Sequence, residues 1–209
     1  MGDGVEIRTI LSTEVDAAAE LLGRAFQDDP GAMIVEPDPN LREHADRTLF
    51  SPVVRQAIPF GRVLVAVSGD GRIVGIATFL PAGHQTASDE EMVAAGLLDA
   101  LAAVPDAAAR MAPMVDYLED LHAGAIDGQH ARLEFFGVDP AHQGSGIGGR
   151  LLAAGHATID ERGERCYLET FTTKNVAFYE KRGYRVVVEG QVPSTQTPVW
   201  GLVREPVST

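Results

Sequence analysis

Four glycines fall within six residues at Gly144, Gly146, Gly148 and Gly149, and what flanks them limits the folds open to this chain. Arg132 to Val138 is an apolar run with strand character, interrupted by Glu134. After the glycines, Ile147, Leu151, Gly155 and Ile159 recur at helical spacing from about Gly144 to Glu161, with Gly163 placed as the stop. A strand thus enters a glycine turn that opens directly into a helix. Glycines let backbone N–H groups converge, and a helix N-terminus adds partial positive charge, so the segment has the makings of a pyrophosphate cradle. A tight turn needing positive φ would explain two or three glycines; four exceed that need.

Gly144-Ser145-Gly146-Ile147-Gly148-Gly149 matches the dinucleotide pattern GxGxxG, and Glu169 lies some 25 residues on. In a dinucleotide fold, however, the strand runs almost straight into the first glycine, whereas here Asp139-Pro140-Ala141-His142-Gln143 intervenes. Only about 60 residues remain after the loop, too few for the further βα units of that fold. No Lys-Ser/Thr pair follows the glycines, so a P-loop is excluded. Dinucleotide binding stays as a minor alternative.

The rest of the chain reads as one mixed α/β domain over 1–209, with a helical insert at about 84–128. Val5–Ile10 is a strand, and Val15, Ala18, Ala19, Leu22 and Phe26 form a helical stripe ended by Asp28-Asp29-Pro30-Gly31. A helix follows over 41–56, then a hairpin of Arg62–Val67 and Ile73–Leu80 across Ser68-Gly69-Asp70-Gly71. Ser88-Asp89-Glu90-Glu91 is a capping box, and Pro113 interrupts the helical stretch that runs to about His122. Strands at 165–170, 184–189 and 198–203 and a short helix at 174–182 complete the order.

The 209 residues carry 30 acidic and 17 basic side chains, a formal charge of -13. That balance repels phosphate backbones and argues against nucleic acid as a partner. Cys166 is the single cysteine, and the six histidines show no HExxH spacing, so no disulfide framework and no metal site are expected. No apolar run approaches membrane-spanning length and Met1–Arg8 lacks a signal-peptide pattern, which predicts a cytoplasmic chain without membrane contact.

Gln143-Gly144-Ser145-Gly146-Ile147-Gly148 resembles the acetyl-CoA loop of the GNAT N-acetyltransferases. Tyr167-Leu168-Glu169-Thr170 and Lys174-Asn175-Val176-Ala177-Phe178-Tyr179-Glu180-Lys181-Arg182-Gly183-Tyr184 resemble the second half of that motif set. The likeness is strongest to the puromycin-acetyltransferase-like branch, to which Asp28-Asp29-Pro30 and His130 are also similar. It covers Arg132 to Tyr184; residues 81–128 lie outside it.

The resemblance implies a central mixed sheet with a splayed strand pair flanked by helices. It implies acetyl-CoA as co-substrate, with pantetheine lying along Phe136, Gly137 and Val138. The pyrophosphate would sit on Gln143, Gly144, Ser145, Gly146, Ile147, Gly148 and Gly149. Asn175 would bond the arm from the other side, or cap its helix, as asparagine does well. Tyr179 is implied as the acid that protonates the departing sulfur, with packing as its plainer role. Glu134, a carboxylate among apolar residues, suits the base that takes a proton from an amine, unless it faces solvent. Asp28, Asp29, Glu169 and His122 are further candidates for an acceptor pocket; each also has a local reading, as turn, strand-end or loop residues. Cys166 is not placed as a nucleophile. The expected activity is transfer of acetyl to a primary amine of a small molecule by direct attack in a ternary complex, by a monomer or homodimer. A protein lysine or N-terminus as acceptor, or a non-catalytic CoA-binding module, are the alternatives.

Overall fold

The computed structural model describes residues 4–60, 62–84 and 87–207; the reading of Met1–Asp3 lies outside them. Seven strands form one sheet: β1 (Glu6–Thr9), β2 (Val63–Val67), β3 (Ile73–Leu80), β4 (Ala131–Val138), β5 (Cys166–Thr170), β6 (Tyr184–Val192) and β7 (Thr197–Arg204), ordered β1-β2-β3-β4-β5-β7-β6. Their pairings are antiparallel except β4 with β5, whose connection is a helix, α7 (Ile147–Glu161). A mixed sheet with one parallel pair is not the doubly wound dinucleotide fold, and that alternative falls.

Alternation along the strands sends residues to two helical layers. Val63, Val65, Ile76 and Leu80 pack against Leu21 and Leu22 of α1 (Val15–Ala25) and Phe50 and Val54 of α3 (Pro39–Ala57). Ala66, Ala77, Phe79 and Leu133 face the other way, onto Ile147, Leu151, Leu152 and Ile159 of α7. The stripe that the sequence predicts for α7 is therefore buried as a unit. Gly155 belongs to it for a steric reason, since a Cβ there would overlap the Phe79 ring.

Three local expectations need correction. The Asp28–Gly31 segment does not merely end α1: Asp29 caps a further helix, α2 (Pro30–Val35), its Oδ1 accepting from Gly31 N at 2.8 Å. The capping box at Ser88 is present, but the helix it starts, α4 (Asp89–Ala94), breaks at Gly96 (φ 101°) before α5 (Leu97–Ala103). Pro113 does not interrupt α6 (Ala107–Ala125), because Met114, Tyr117 and Leu118 pack with Ile34, Val35 and Val192 and hold the helix through the lost hydrogen bond. Hence α6 joins α2 to the β6 edge, with the Tyr117 hydroxyl accepting from Gln191 N at 3.2 Å. The last helix, α8 (Thr173–Glu180), and the final strand pair are displaced from their expected ends by a few residues.

Gly155→Ala is expected to destabilise the fold by about 2 kcal/mol through overpacking against Phe79. Urea denaturation measures it, and an unchanged midpoint would mean that the α7 contact is not tight.

Candidate active site

β4 and β5 pair only at Ala131↔Cys166 and Arg132↔Tyr167 and then separate. β4 continues to Val138 along β3, and β5 to Thr170 along β7, so each strand keeps its outer neighbour and a wedge opens between them. The β3–β4 register shifts at this point: Phe135 opposes Thr78 and Leu133 opposes Phe79, which leaves Glu134 as the extra residue of a bulge. A bulge bends and twists its strand. It also puts Glu134 and Phe135 on one face, where Gln56 Nε2 donates to Glu134 Oε2 at 3.3 Å and Phe135 packs on Phe50.

The backbone of Phe136 to Val138 borders the wedge. Asp139 N donates to Val74 O, so by alternation the N–H groups of Phe136 and Val138 turn toward the gap and that of Gly137 toward β3. Gly137 has a packing role instead: a Cβ there would sit 3.1 Å from Ala25 Cβ on α1.

At the end of β4, Gln143 Nε2 donates to Val138 O at 3.2 Å and Ser145 Oγ to His142 O at 2.5 Å, folding the loop back on itself. The four glycines serve different needs. Gly144 (φ 78°) and Gly146 (φ 89°) adopt left-handed backbone, with open space where a side chain would be. Gly148 is helical, and a Cβ there would lie 2.9 Å from Phe136 Cζ. At Gly149 it would lie 3.0 Å from Nη2 of Arg182, a cation beside the loop that the sequence reading did not single out. Arg182 stacks on Phe178, 3.6 Å from the ring centroid, and donates to Phe178 O at 2.7 Å. Among the described residues, the N–H groups of Gly144 to Gly149 donate to no acceptor. Uncommitted amides, open space and an adjacent guanidinium fit a diphosphate.

The acids of the wedge are held by burial. Arg132 donates from Nη1 to Glu119 Oε1 at 2.7 Å and from Nη2 to Glu169 Oε1 at 3.1 Å. Glu169 is therefore a buried ion-pair member, correcting its reading as a solvated strand end. Burial, aided by the charges of Glu119 and Glu169 and opposed by Arg132, pushes Glu134 up to about 7. Burial likewise raises Asp29, on the α1–α2 turn, and takes Asp46 of α3 to about 7. Asp46 is a residue the sequence reading missed. Its signal was there, since Arg42, Ala45, Asp46 and Phe50 form a buried stripe at helical spacing.

Tyr179 on α8 is buried, and its hydroxyl has no hydrogen-bond partner among the described residues. Burial first, then the charge of Asp29, raises its pKa. Asp28 is exposed. Asn175 does not cap α8: Thr172 does, its Oγ1 accepting from Asn175 N at 3.2 Å, which leaves the Asn175 carboxamide uncommitted. His122 is not a loop residue but a buried one on α6. Cys166 is fully buried, accepts from the Tyr184 hydroxyl at 3.2 Å, and burial raises its thiol to about 11.

The comparisons agree with this fold. Residues 114–186 match the family model described as the acetyltransferase (GNAT) domain. Over its whole length the chain resembles the crystal structure of histone acetyltransferase HPA2 and related acetyltransferase from Corynebacterium glutamicum, with a TM-score of 0.69, 21% identity, and 99% of this chain and 98% of that one covered. A polyamine N-acetyltransferase of Drosophila melanogaster, which forms N-acetylagmatine, aligns at 0.64 and 16%, covering 96% and 99%. The PaiA N-acetyltransferase of Thermoplasma acidophilum, solved with coenzyme A, aligns at 0.60 and 13%, covering 96% and 98%. The fold is that of the GNAT acetyltransferases, and the segment matched by the family model spans β4, the glycine loop, β5 and Tyr179. Among the described residues no cluster suited to a metal ion occurs, and no helix is long and apolar enough to cross a membrane.

The unfolded chain ionises Glu134 near 4.5 and the folded chain near 7, so between those values the fold binds the extra proton and loses stability as pH rises. Glu134→Gln is therefore expected to gain about 3 kcal/mol relative to the parent between the acid and alkaline sides of that window. Urea titrations at both ends check this; a pH-independent difference would place the carboxyl in solvent.

Proposed function

We propose that this chain transfers acetyl from acetyl-CoA to a primary amine of a small molecule, by direct attack within a ternary complex. The observation that carries the reading is the parting of β4 and β5 after two residue pairs, with uncommitted loop amides at one end. The wedge gives an amide-bearing arm a free strand edge, so that the N–H groups of Phe136 and Val138 would hold pantetheine as strand addition does. Asn175 would bond the arm from the α8 side, and Gln143 to Gly149 would seat the diphosphate with Arg182 beside it. Acetyl-CoA supplies the activated acyl carbon and a thiolate leaving group.

Each residue then has a task. Glu134, ionising near neutrality, takes the proton that a charged amine must lose before it can attack. Asp29 and Glu169 add negative charge that favours a cationic acceptor in the wedge. The Phe136 or Val138 N–H stabilises the oxyanion that develops on the acyl oxygen. Tyr179, kept protonated by burial, delivers its proton to the sulfur as the carbon–sulfur bond breaks. Cys166 is too buried to carry the acetyl group, which supports direct attack over a covalent relay.

The acceptor side also supports a small substrate. Helices α4–α6 form an insert between β3 and β4, and Arg110 ties it to α2 through Val35 O at 2.6 Å and Glu36 Oε2 at 3.2 Å. An insert held in this way would narrow the approach to the wedge. We also place the chain in the puromycin-acetyltransferase-like branch, on the Gln143–Gly148 and Asn175–Tyr184 motifs.

The test is thiol release from acetyl-CoA with a panel of small amines and lysine or N-terminal peptides. Turnover confined to small amines is expected; turnover with peptides alone would move the acceptor to protein, and CoA binding without release would leave a non-catalytic module. Tyr179→Phe is expected to lower kcat about 100-fold with KM little changed. Glu134→Gln should lower kcat/KM at least as much and abolish the limb that rises with pH toward 7. An unaltered pH–rate profile in that variant would remove Glu134 from the chemistry.

A further inference from the structure

Gln56, near the end of α3, is buried at 6% exposure. Its carboxamide is only half used: Nε2 donates to Glu134 Oε2 at 3.3 Å, whereas Oε1, buried as well, has no partner. A buried amide oxygen left unpaired costs free energy, and an apolar side chain of the same shape would fill the space without that cost. Packing therefore does not account for a glutamine here. The group it donates to does.

The two oxygens of Glu134 differ. Oε2 takes the Gln56 N–H, and among the described residues no other group donates to this carboxyl. Oε1 accepts from none of them, yet it is not among the buried atoms without a partner, so it keeps open access. One oxygen is tethered and the other is free. The terminal torsion of a glutamate is broad, so an untethered carboxylate has no fixed plane. A donor on Oε2 fixes that plane, and with it the direction of the Oε1 lone pairs. Proton transfer requires such a lone pair within hydrogen-bond reach of the group that gives up the proton.

The charged groups that act on Glu134 come from three elements. Arg132 on β4 favours its ionised form, while Glu119 of α6 and Glu169 of β5 oppose it. From α3 comes the neutral Gln56. A neutral donor steadies the carboxylate without the positive charge of a lysine or arginine, which would weaken it as a base and repel an ammonium group. We propose that Gln56 is a positioning residue for the transfer: it holds Glu134 by Oε2, so that Oε1 is the oxygen that takes the proton from the acceptor amine. The inference rests on the reading of the chain as an amine acetyltransferase. In this step the N–H bond of the ammonium breaks as an O–H bond forms at Oε1, and the nitrogen keeps the electron pair with which it attacks.

The experiment is carbon- and nitrogen-detected NMR of the isotope-labelled full chain, followed over pH. In the parent, the Glu134 carboxyl signal and the Gln56 Nε2–H signals are expected to move together with one midpoint. Gln56→Met fills similar space without a donor, and should raise the Glu134 midpoint by about 0.5 to 1 pH unit. The rising limb of kcat/KM, measured with an amine that the parent turns over, should move up by the same amount. A Gln56 carboxamide that ignores the Glu134 titration overturns the proposal, and this arm uses the parent alone, so it decides even where the variant fails to fold. An unchanged midpoint in Gln56→Met overturns it too. So does a midpoint that moves while the limb stays in place, since Gln56 then supports the carboxyl without serving the transfer. A parent that turns over no amine strikes the acetyl-transfer reading and this role with it; the two failures are told apart because the NMR midpoints are read without substrate.

Discussion

The structure depends on the separation of β4 from β5. Sheets gain from every ladder bond, so two adjacent strands that part after Arg132↔Tyr167 forgo hydrogen bonds that continued pairing would supply. Two features make the parting tolerable. The outer edges stay paired, β4 with β3 and β5 with β7, so the sheet is held from both sides of the wedge. The bulge at Glu134 bends β4 at the point of divergence. The same extra residue turns a carboxylate onto the α3 face, within reach of Gln56.

That carboxylate sits in an unusual balance. Arg132 pairs with Glu119 and Glu169 and only partly offsets the burial of Glu134, and Asp29 and Asp46 add acids raised by burial on the helical side. Buried acids of one sign are costly unless protonated or paired. Helix α6, tied to α2 and the β6 edge, contributes Glu119 to that set through its pair with Arg132.

Local chemistry was legible in the sequence. The strand, the glycine loop, the stripe of α7 and the capping box at Ser88 follow from periodicity and turn residues, which act over a few positions. Whatever depended on distant partners was not. Glu134 reads as one alternating position in a strand, and only the β3 register shows that it is the bulged one. Asp29 reads as a turn residue because Tyr179, whose pKa its charge raises, lies 150 positions further along. Asn175 was misplaced by three residues relative to its helix cap, within the usual uncertainty of helix ends. His122 reads as a loop residue because the helical pattern fades there, three residues before α6 ends at Ala125.

Charge ties these pieces together. A chain with a formal charge of -13 has ample surface on which to place its acids, yet Glu134, Glu169, Asp29 and Asp46 are drawn inward. Folding alone gains nothing from this, because each is harder to ionise inside than in water. A cation entering the wedge reverses the sign of that penalty: it lowers the pKa of every acid it approaches, and the acids in turn hold it. On the proposed function, the desolvation that makes the empty fold less stable would also prepare it for a cation, so that site and stability oppose each other at these four carboxyls.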